Sequence, residues 1–336
     1  MASKAFRGEV WTNVNPQILE QMVKVNSETV DGNTGKDAHS LHAIELMQSF
    51  FHEPIYVTYT INGTAANVIA LKAMLDRFSA VLCCDQTHIN CYECGATEYT
   101  LGNKILATES PDGKLTPDLL DWLLKKNKKY KYCPKVIVIT EPTEFGTVYS
   151  VPEIKAICDY AHAKGMYVYI DGARISNAVA NLGSNLTEMI EGTDVDAFSF
   201  GGTKAGAMFG EMVVFRRKEF ASHLDYIQKQ SMQHLDKSKF LGVQLEYLLE
   251  TGIWLENAEK ANKTAKLLEG KLRAKGVEIF YKVETNMVFC VIPPELLKQI
   301  TKVFDMHYWD EFTHVVRLAV NHLTTEEEID SLVNLF

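Results

Sequence analysis

No apolar run in this chain approaches the roughly 18–20 residues that a membrane helix needs. Basic residues are in deficit too: 34 Lys and Arg against 43 Asp and Glu leave a formal charge of −9. That balance argues against a nucleic-acid binder, which carries a basic excess. The opening stretch, MASKAFRGEVWTNVNPQ, lacks the apolar centre of a secretory leader. Linkers rich in Pro, Ser or Gly, low-complexity tracts and internal repeats are all missing from the 336 residues. The 7 cysteines are an odd number and no leader precedes them, so reduced thiols and a cytoplasmic location are expected. Cys91 and Cys94 have CxxC spacing, but no second ligand pair follows at zinc spacing and no thioredoxin-like context surrounds them. Small buried or half-buried thiols are the simpler reading. The remaining composition, 46% hydrophobic and 23% charged, is that of a globular chain and excludes disordered, collagenous and coiled-coil classes.

Strand-like and helix-like segments alternate through the first two thirds. IYVTYT, AVLCC, KVIVIT (135–140), MYVYID, DAFSFGG and EMVVFRR read as strands. Between them, PQILEQMVKV opens on Pro16, AANVIALKAM can place Val68, Leu71 and Met74 on one face, and VPEIKAICDYAHAKG stops at Gly165. The stretch 27–40 reads as a loop. This alternation predicts an α/β fold with a mostly parallel sheet covered by helices. A smaller α+β module follows, giving a large domain over 1–231 and a small C-terminal domain over 232–336. In the latter GVEIFY, NMVFCVI and HVVRLAV read as strands, and Thr324-Thr325-Glu326-Glu327 offers a capping box.

On such sheets ligands bind at the carboxyl ends of the strands. Three cues sit there. Asp171 ends MYVYID; alone it reads more simply as a helix cap. Lys204 lies in Ser199-Phe-Gly-Gly-Thr-Lys-Ala-Gly206, where small neighbours let a lysine be desolvated into a nucleophilic amine that forms a Schiff base; alone it reads as a surface lysine. Asn62-Gly63-Thr64 opens a helix and offers free N–H groups to a phosphate, or is simply a tight turn. The spacing fits neither a Walker A loop nor a GxGxxG turn. Taken together, an acid, a lysine 33 residues later and an upstream phosphate cradle suit pyridoxal phosphate.

These segments resemble the aromatic amino acid β-eliminating lyase/threonine aldolase family, most of all its low-specificity L-threonine aldolase branch. The resemblance rests on NGTAANVIALKAM, THINCYECGATE, EPTEFGTVYSVPEIKAI, YIDGARISNA, SFGGTKAGAMFGEMVVF and HVVRLAVNHLTTEEEID. It implies the aspartate-aminotransferase fold with a seven-stranded sheet, pyridoxal 5′-phosphate as cofactor, an amino acid substrate, and a homo-oligomer, dimer or tetramer, with shared sites. It implies Lys204 as the cofactor's lysine, Asp171 as partner of its ring nitrogen, and Gly63 and Thr64 as its phosphate cradle. It places His88 on the ring face, Arg174 by the ring hydroxyl, Arg317 on the substrate carboxylate and Lys229 at a neighbouring subunit's phosphate. The activity implied is retro-aldol cleavage of threonine or allo-threonine to glycine and an aldehyde, with His88 as candidate base. A β-elimination or racemisation on the same scaffold, or a silent binding subunit, are the alternatives. Two stretches depart from the family: Val10-Trp11-Thr12-Asn13 and Thr34-Gly35-Lys36-Asp37. His39 and His42, at helical spacing, read as a solvated face, and no metal site is expected. His307, His314 and His322 are expected on the surface.

Overall fold

The computed structural model describes residues 3, 5–29 and 35–336. Ten strands are named among them: β1 (Tyr56–Thr60), β2 (Ser79–Cys84), β3 (Lys104–Thr108), β4 (Cys133–Thr140), β5 (Tyr167–Asp171), β6 (Ala197–Gly201), β7 (Glu211–Phe215), β8 (Met287–Val291), β9 (Tyr308–Asp310) and β10 (Val315–Ala319). The first seven form one sheet in the order β1-β7-β6-β5-β4-β2-β3, with only β7 running against its neighbours. The expected α/β fold is present. β3 and the helix Pro117–Asn127 join it without having been predicted. That helix carries its own start signal, since Thr116 caps it by accepting from the Leu119 N–H at 3.2 Å and Pro117 follows.

Both faces of the sheet are buried, which is why its strands read as continuous apolar runs. Along β4, Ile137 and Ile139 enter one core cluster while Val136 and Val138 enter another. One-residue alternation therefore survives inside an unbroken apolar string.

The second sheet, β8-β10-β9, is antiparallel and packs with its own cluster. GVEIFY does not form a strand there. It makes one isolated bridge, Ile279 to Cys290, flanked by the Phe280 N–H donating to the Phe289 carbonyl at 2.8 Å and the Val291 N–H donating to the Glu278 carbonyl at 3.0 Å, and Tyr281 beyond it packs on Phe145 and Phe289. The last helix is capped by a box one residue later than expected, Thr325 with Glu328. The packing also departs from a boundary at 231/232. Leu241, Leu245, Leu248 and Trp254 lie in the large cluster, whereas Ala265, Leu268 and Leu272 lie in the small one. The helix Ile253–Ala274 thus spans both cores. Phe6 crosses the other way and is buried in the small cluster. Among the described residues no helix is long and apolar enough to cross a membrane.

Candidate active site

β5 ends on Asp171, β6 runs into the 3-10 turn Thr203–Ala205 that carries Lys204, and β1 leads to the helix Gly63–Met74. Two glycines allow the first two segments to touch. A Cβ on Gly172 would stand 2.0 Å from the Ser199 carbonyl oxygen, and one on Gly201 would stand 2.3 Å from that of Ala173. Only backbone displacement would relieve either clash, so the DGAR and SFGG glycines are dictated by this approach.

Two cavities meet at these strand ends and share His88, Glu144, Arg174 and Lys204 in their walls. The smaller, about 200 Å³, is also lined by Gly63, Thr64, Asn67 and Asp171. The larger, about 490 Å³, takes Arg7, Tyr92, Tyr308, Trp309 and Arg317. Seven of the eight residues singled out from the sequence therefore face one place. Lys229 does not. It is exposed on the helix Leu224–Gln230 and lines neither cavity.

Asp171 is buried. Its Oδ1 accepts the Ala173 N–H at 3.1 Å and its Oδ2 accepts from Asn67 Nδ2 at 2.9 Å. Among the described residues no Lys, Arg or His comes within ion-pair distance of it. Asn67 also donates to Glu93 Oε1 at 2.7 Å and receives the Tyr169 hydroxyl at 2.8 Å. Glu93 in turn meets His88 Nδ1 at 2.8 Å. His88, Glu93 and Asp171 bring ligand atoms within 4.8 Å of one another, and Asn67 ties the two acids together as a hydrogen-bond network. Burial pulls the His88 pKa down, but the hydrogen bond it donates to Glu93 and the charges of Asp171 and Glu144 outweigh it and hold it above the ordinary value. Burial holds the Lys204 amine below the usual lysine value, and Arg174 adds to this against the opposing pull of Glu9, Glu144 and Asp171. A lowered pKa means more neutral amine, the nucleophilic form.

Arg174 is clasped by Glu9, with Nε to Oε1 at 2.9 Å and Nη2 to Oε2 at 3.2 Å, and Asn286 donates to the same Oε1 at 2.7 Å. Arg317 shares its face of β10 with Val315 and Ala319 and lies 4.8 Å from the Trp309 ring centroid. β10 is the central strand of its sheet, so this is no solvent-facing edge arginine.

Sequence reasoning missed Glu9, Asn67, Glu93, Glu144 and Trp309. Glu93 was in plain view inside Cys91-Tyr-Glu-Cys94, but attention went to the thiols; Cys91 and Cys94 are in fact exposed. Glu9 directly precedes the departing Val10-Trp11-Thr12-Asn13 stretch, and Val10 does line both cavities. Asp37 caps a helix by accepting the Ser40 N–H at 3.0 Å and lines neither cavity. Thr34 lies outside the described residues. His307 is exposed, as expected, at the rim of the larger cavity, where it meets Arg7 at 2.5 Å; His322 is buried instead of lying on the surface. A carboxylate does reach the His39 and His42 pair, from Glu246 two hundred residues later, at 2.5 and 2.7 Å.

A two-module α/β chain with a desolvated lysine facing a buried acid at the strand ends is an enzyme of the aspartate-aminotransferase fold. Its architecture matches aspartate aminotransferase from Thermus thermophilus with a TM-score of 0.76 at 17% identity, over 97% of this chain and 88% of that one. The pattern of the beta-eliminating lyase family matches residues 6–293, and the chain belongs to that family and to the lyase class of enzymes. It is 35% identical to a low specificity L-threonine aldolase of Pseudomonas sp. over 290 residues, 85% of this chain and 84% of that one. A threonine aldolase from Leishmania major superposes with a TM-score of 0.93 at 28% identity, over 99% of this chain and 98% of that one.

Proposed function

We propose that the chain is a pyridoxal-phosphate enzyme that cleaves L-threonine, L-allo-threonine and related β-hydroxy-α-amino acids to glycine and an aldehyde. The similarity to threonine aldolases supports the reaction. The observation that carries the cofactor is Asp171, a buried carboxylate in a cavity wall with no ion-pair partner among the described residues. A buried charge left so is costly, and a protonated ring nitrogen relieves it. The donor set fits elsewhere too. The Thr140 and Thr203 hydroxyls are buried in the same wall without hydrogen-bond partners among the described residues. The N–H groups of Gly63 and Thr64 open a helix, where the backbone has no carbonyl to offer them.

Lys204 would hold the cofactor, Asp171 its ring nitrogen, Gly63 and Thr64 its phosphate, His88 its ring face and Arg174 its ring hydroxyl. When bound, the cofactor supplies the sink for the electron pair released as Cα–Cβ breaks. Arg317 grips the substrate carboxylate through two parallel N–H bonds and so fixes which bond at Cα is presented for cleavage. Trp309 stacks beneath the guanidinium and limits its swing. Arg317→Lys keeps the charge but loses the fork. It is expected to raise the Michaelis constant for threonine at least about fivefold while the absorbance of bound cofactor persists. Wild-type kinetics in that variant would move the carboxylate site out of the small module.

The two-module organisation is kept in this reading, with the boundary inside Ile253–Ala274. A cytoplasmic homo-oligomer, dimer or tetramer, would bring Lys229 to a neighbour's phosphate. The exposed Tyr226 and Met232 beside it support a covered face there. The experiment is product analysis with pyridoxal phosphate present. Glycine and acetaldehyde from L-threonine or L-allo-threonine are expected; ketoacid and ammonia, or racemised amino acid, would overturn the aldolase reading.

A further inference from the structure

Glu144 occupies the second position of a turn that follows β4. The turn is closed by the Gly146 N–H donating to the Thr143 carbonyl at 2.8 Å and the Thr143 N–H donating to the Thr147 carbonyl at 2.9 Å. The Thr143 and Thr147 hydroxyls meet at 2.7 Å. Phe145 stacks on Tyr281 with centroids 4.3 Å apart, and the Thr285 hydroxyl donates to the Gly146 carbonyl at 3.1 Å. Gly146 sits at φ +78°, and a Cβ there would meet Met287 Cβ and Thr285 Oγ1 at 3.2 Å. Residues from both modules thus fix the backbone on either side of Glu144.

Only the side chain is left without a partner. Glu144 is 7% exposed and lines both cavities. Among the described residues its carboxylate makes no hydrogen bond and no ion pair. Its charge nevertheless acts on His88, Arg174, Lys204 and Arg317 around it. Glu9 is committed to Arg174 and Asn286, Glu93 to His88 and Asn67, and Asp171 to Asn67 and the Ala173 N–H. Glu211, the remaining acid, lines only the smaller cavity, and burial pushes its carboxyl up to about 7, toward the protonated form. A buried, rigidly mounted carboxylate kept free of protein donors at a substrate cavity is ready to accept a hydrogen bond from the substrate.

We infer that Glu144 is the base for the β-hydroxyl, a catalytic residue of the aldol cleavage; this rests on the function proposed above. Its carboxylate oxygen takes the hydroxyl proton as the O–H bond breaks. The oxygen lone pair closes the aldehyde C=O as Cα–Cβ breaks, and that bond's electron pair stays with the glycine fragment. The proton gained by Glu144 equals the one that the glycine Cα requires, so threonine yields acetaldehyde and glycine with nothing added. His88 is less suited to the task. Its Nδ1 is turned to Glu93, and its surroundings favour the imidazolium, which has no lone pair to offer.

The test separates substrates with and without a β-hydroxyl. In Glu144→Gln, L-threonine cleavage is expected to fall roughly 10²–10⁴-fold. Glycine binding, read as the change it causes in the absorbance of bound cofactor, should stay within about threefold of wild type. Glu144→Asp, which keeps a carboxylate one methylene short, should recover at least about tenfold over Gln. The assignment is overturned if Glu144→Gln cleaves threonine within about threefold of wild type, or if glycine binding collapses along with cleavage. Should the Gln variant fail to fold, the Asp variant decides: an unchanged rate sinks the idea, and a loss of about tenfold with glycine binding intact supports it. A wild-type enzyme that releases no glycine from either threonine diastereomer would instead overturn the proposed function itself.

Discussion

Lys204→Ala is expected to lose the visible absorbance of bound pyridoxal phosphate and at least about 10³-fold in threonine turnover. The size of the effect follows from the wall composition. Among the described residues no other lysine lines either cavity, so no second amine stands ready to replace it. Arg7, Arg174 and Arg317 lie in the walls, but guanidinium groups stay protonated and cannot act as nucleophiles. Spectra before and after borohydride treatment check the first half, and acetaldehyde release checks the second. A variant with wild-type spectrum and rate would remove Lys204 from the site and leave it as a lysine in a glycine-rich turn.

Asp171→Asn is expected to reduce turnover by roughly 10²–10³-fold, because a charge aimed into a dry site is replaced by a neutral dipole. The new amide group also faces Asn67 Nδ2, already a donor, so the pair must rearrange. Thermal unfolding separates this role from that of a helix cap. In the cofactor-free protein the variant should melt close to wild type, since the amide oxygen can still accept one hydrogen bond and a buried charge without an ion-pair partner has been taken away. The stabilisation gained on adding pyridoxal phosphate should shrink, because ligand affinity for the folded state sets that gain. A cofactor-free variant that melts well below wild type with undiminished turnover would make Asp171 a structural cap.

The sheet and most of the site could be read from the chain because both repeat a local rule. β2, β4, β5, β6 and β7 are buried on both faces and so announce themselves as apolar strings, and chemistry follows their carboxyl ends. Lys204, Asp171 and Gly63 stand where that rule places them. Glu9, Asn67 and Glu144 escaped because nothing local marks them. Their importance lies in partners 165, 104 and 26 positions away for the first two, and, for the third, in the lack of a partner among the described residues. β9 and β3 escaped for a different reason. Three residues of Tyr-Trp-Asp leave no periodicity to read, and β3 is a short edge strand. The histidines show the same limit. His322 was assigned to the surface by its polarity, yet it is buried.

The segment before residue 10 has a bearing on when this enzyme becomes competent during its own manufacture. Phe6 fills the small module's core, the Ala319 N–H donates to the Phe6 carbonyl at 3.0 Å, and Arg7 bridges to Ala319, while Glu9 two positions on holds Arg174. These residues leave the ribosome early, but the strand they lean on, β10, is made some three hundred residues later. At synthesis rates of about 5–20 residues per second, the early segment waits many seconds for its anchor. The parallel sheet can assemble in that interval, since β1 to β7 and the helices between them precede residue 216. Arg174 meets its clasp, and Arg317 joins the cavity, only when the late strand docks. In the proposed function, substrate binding is thereby tied to completion of the small module, and a chain stalled before β10 carries Lys204 and Asp171 without the Arg317 proposed to hold a substrate against them.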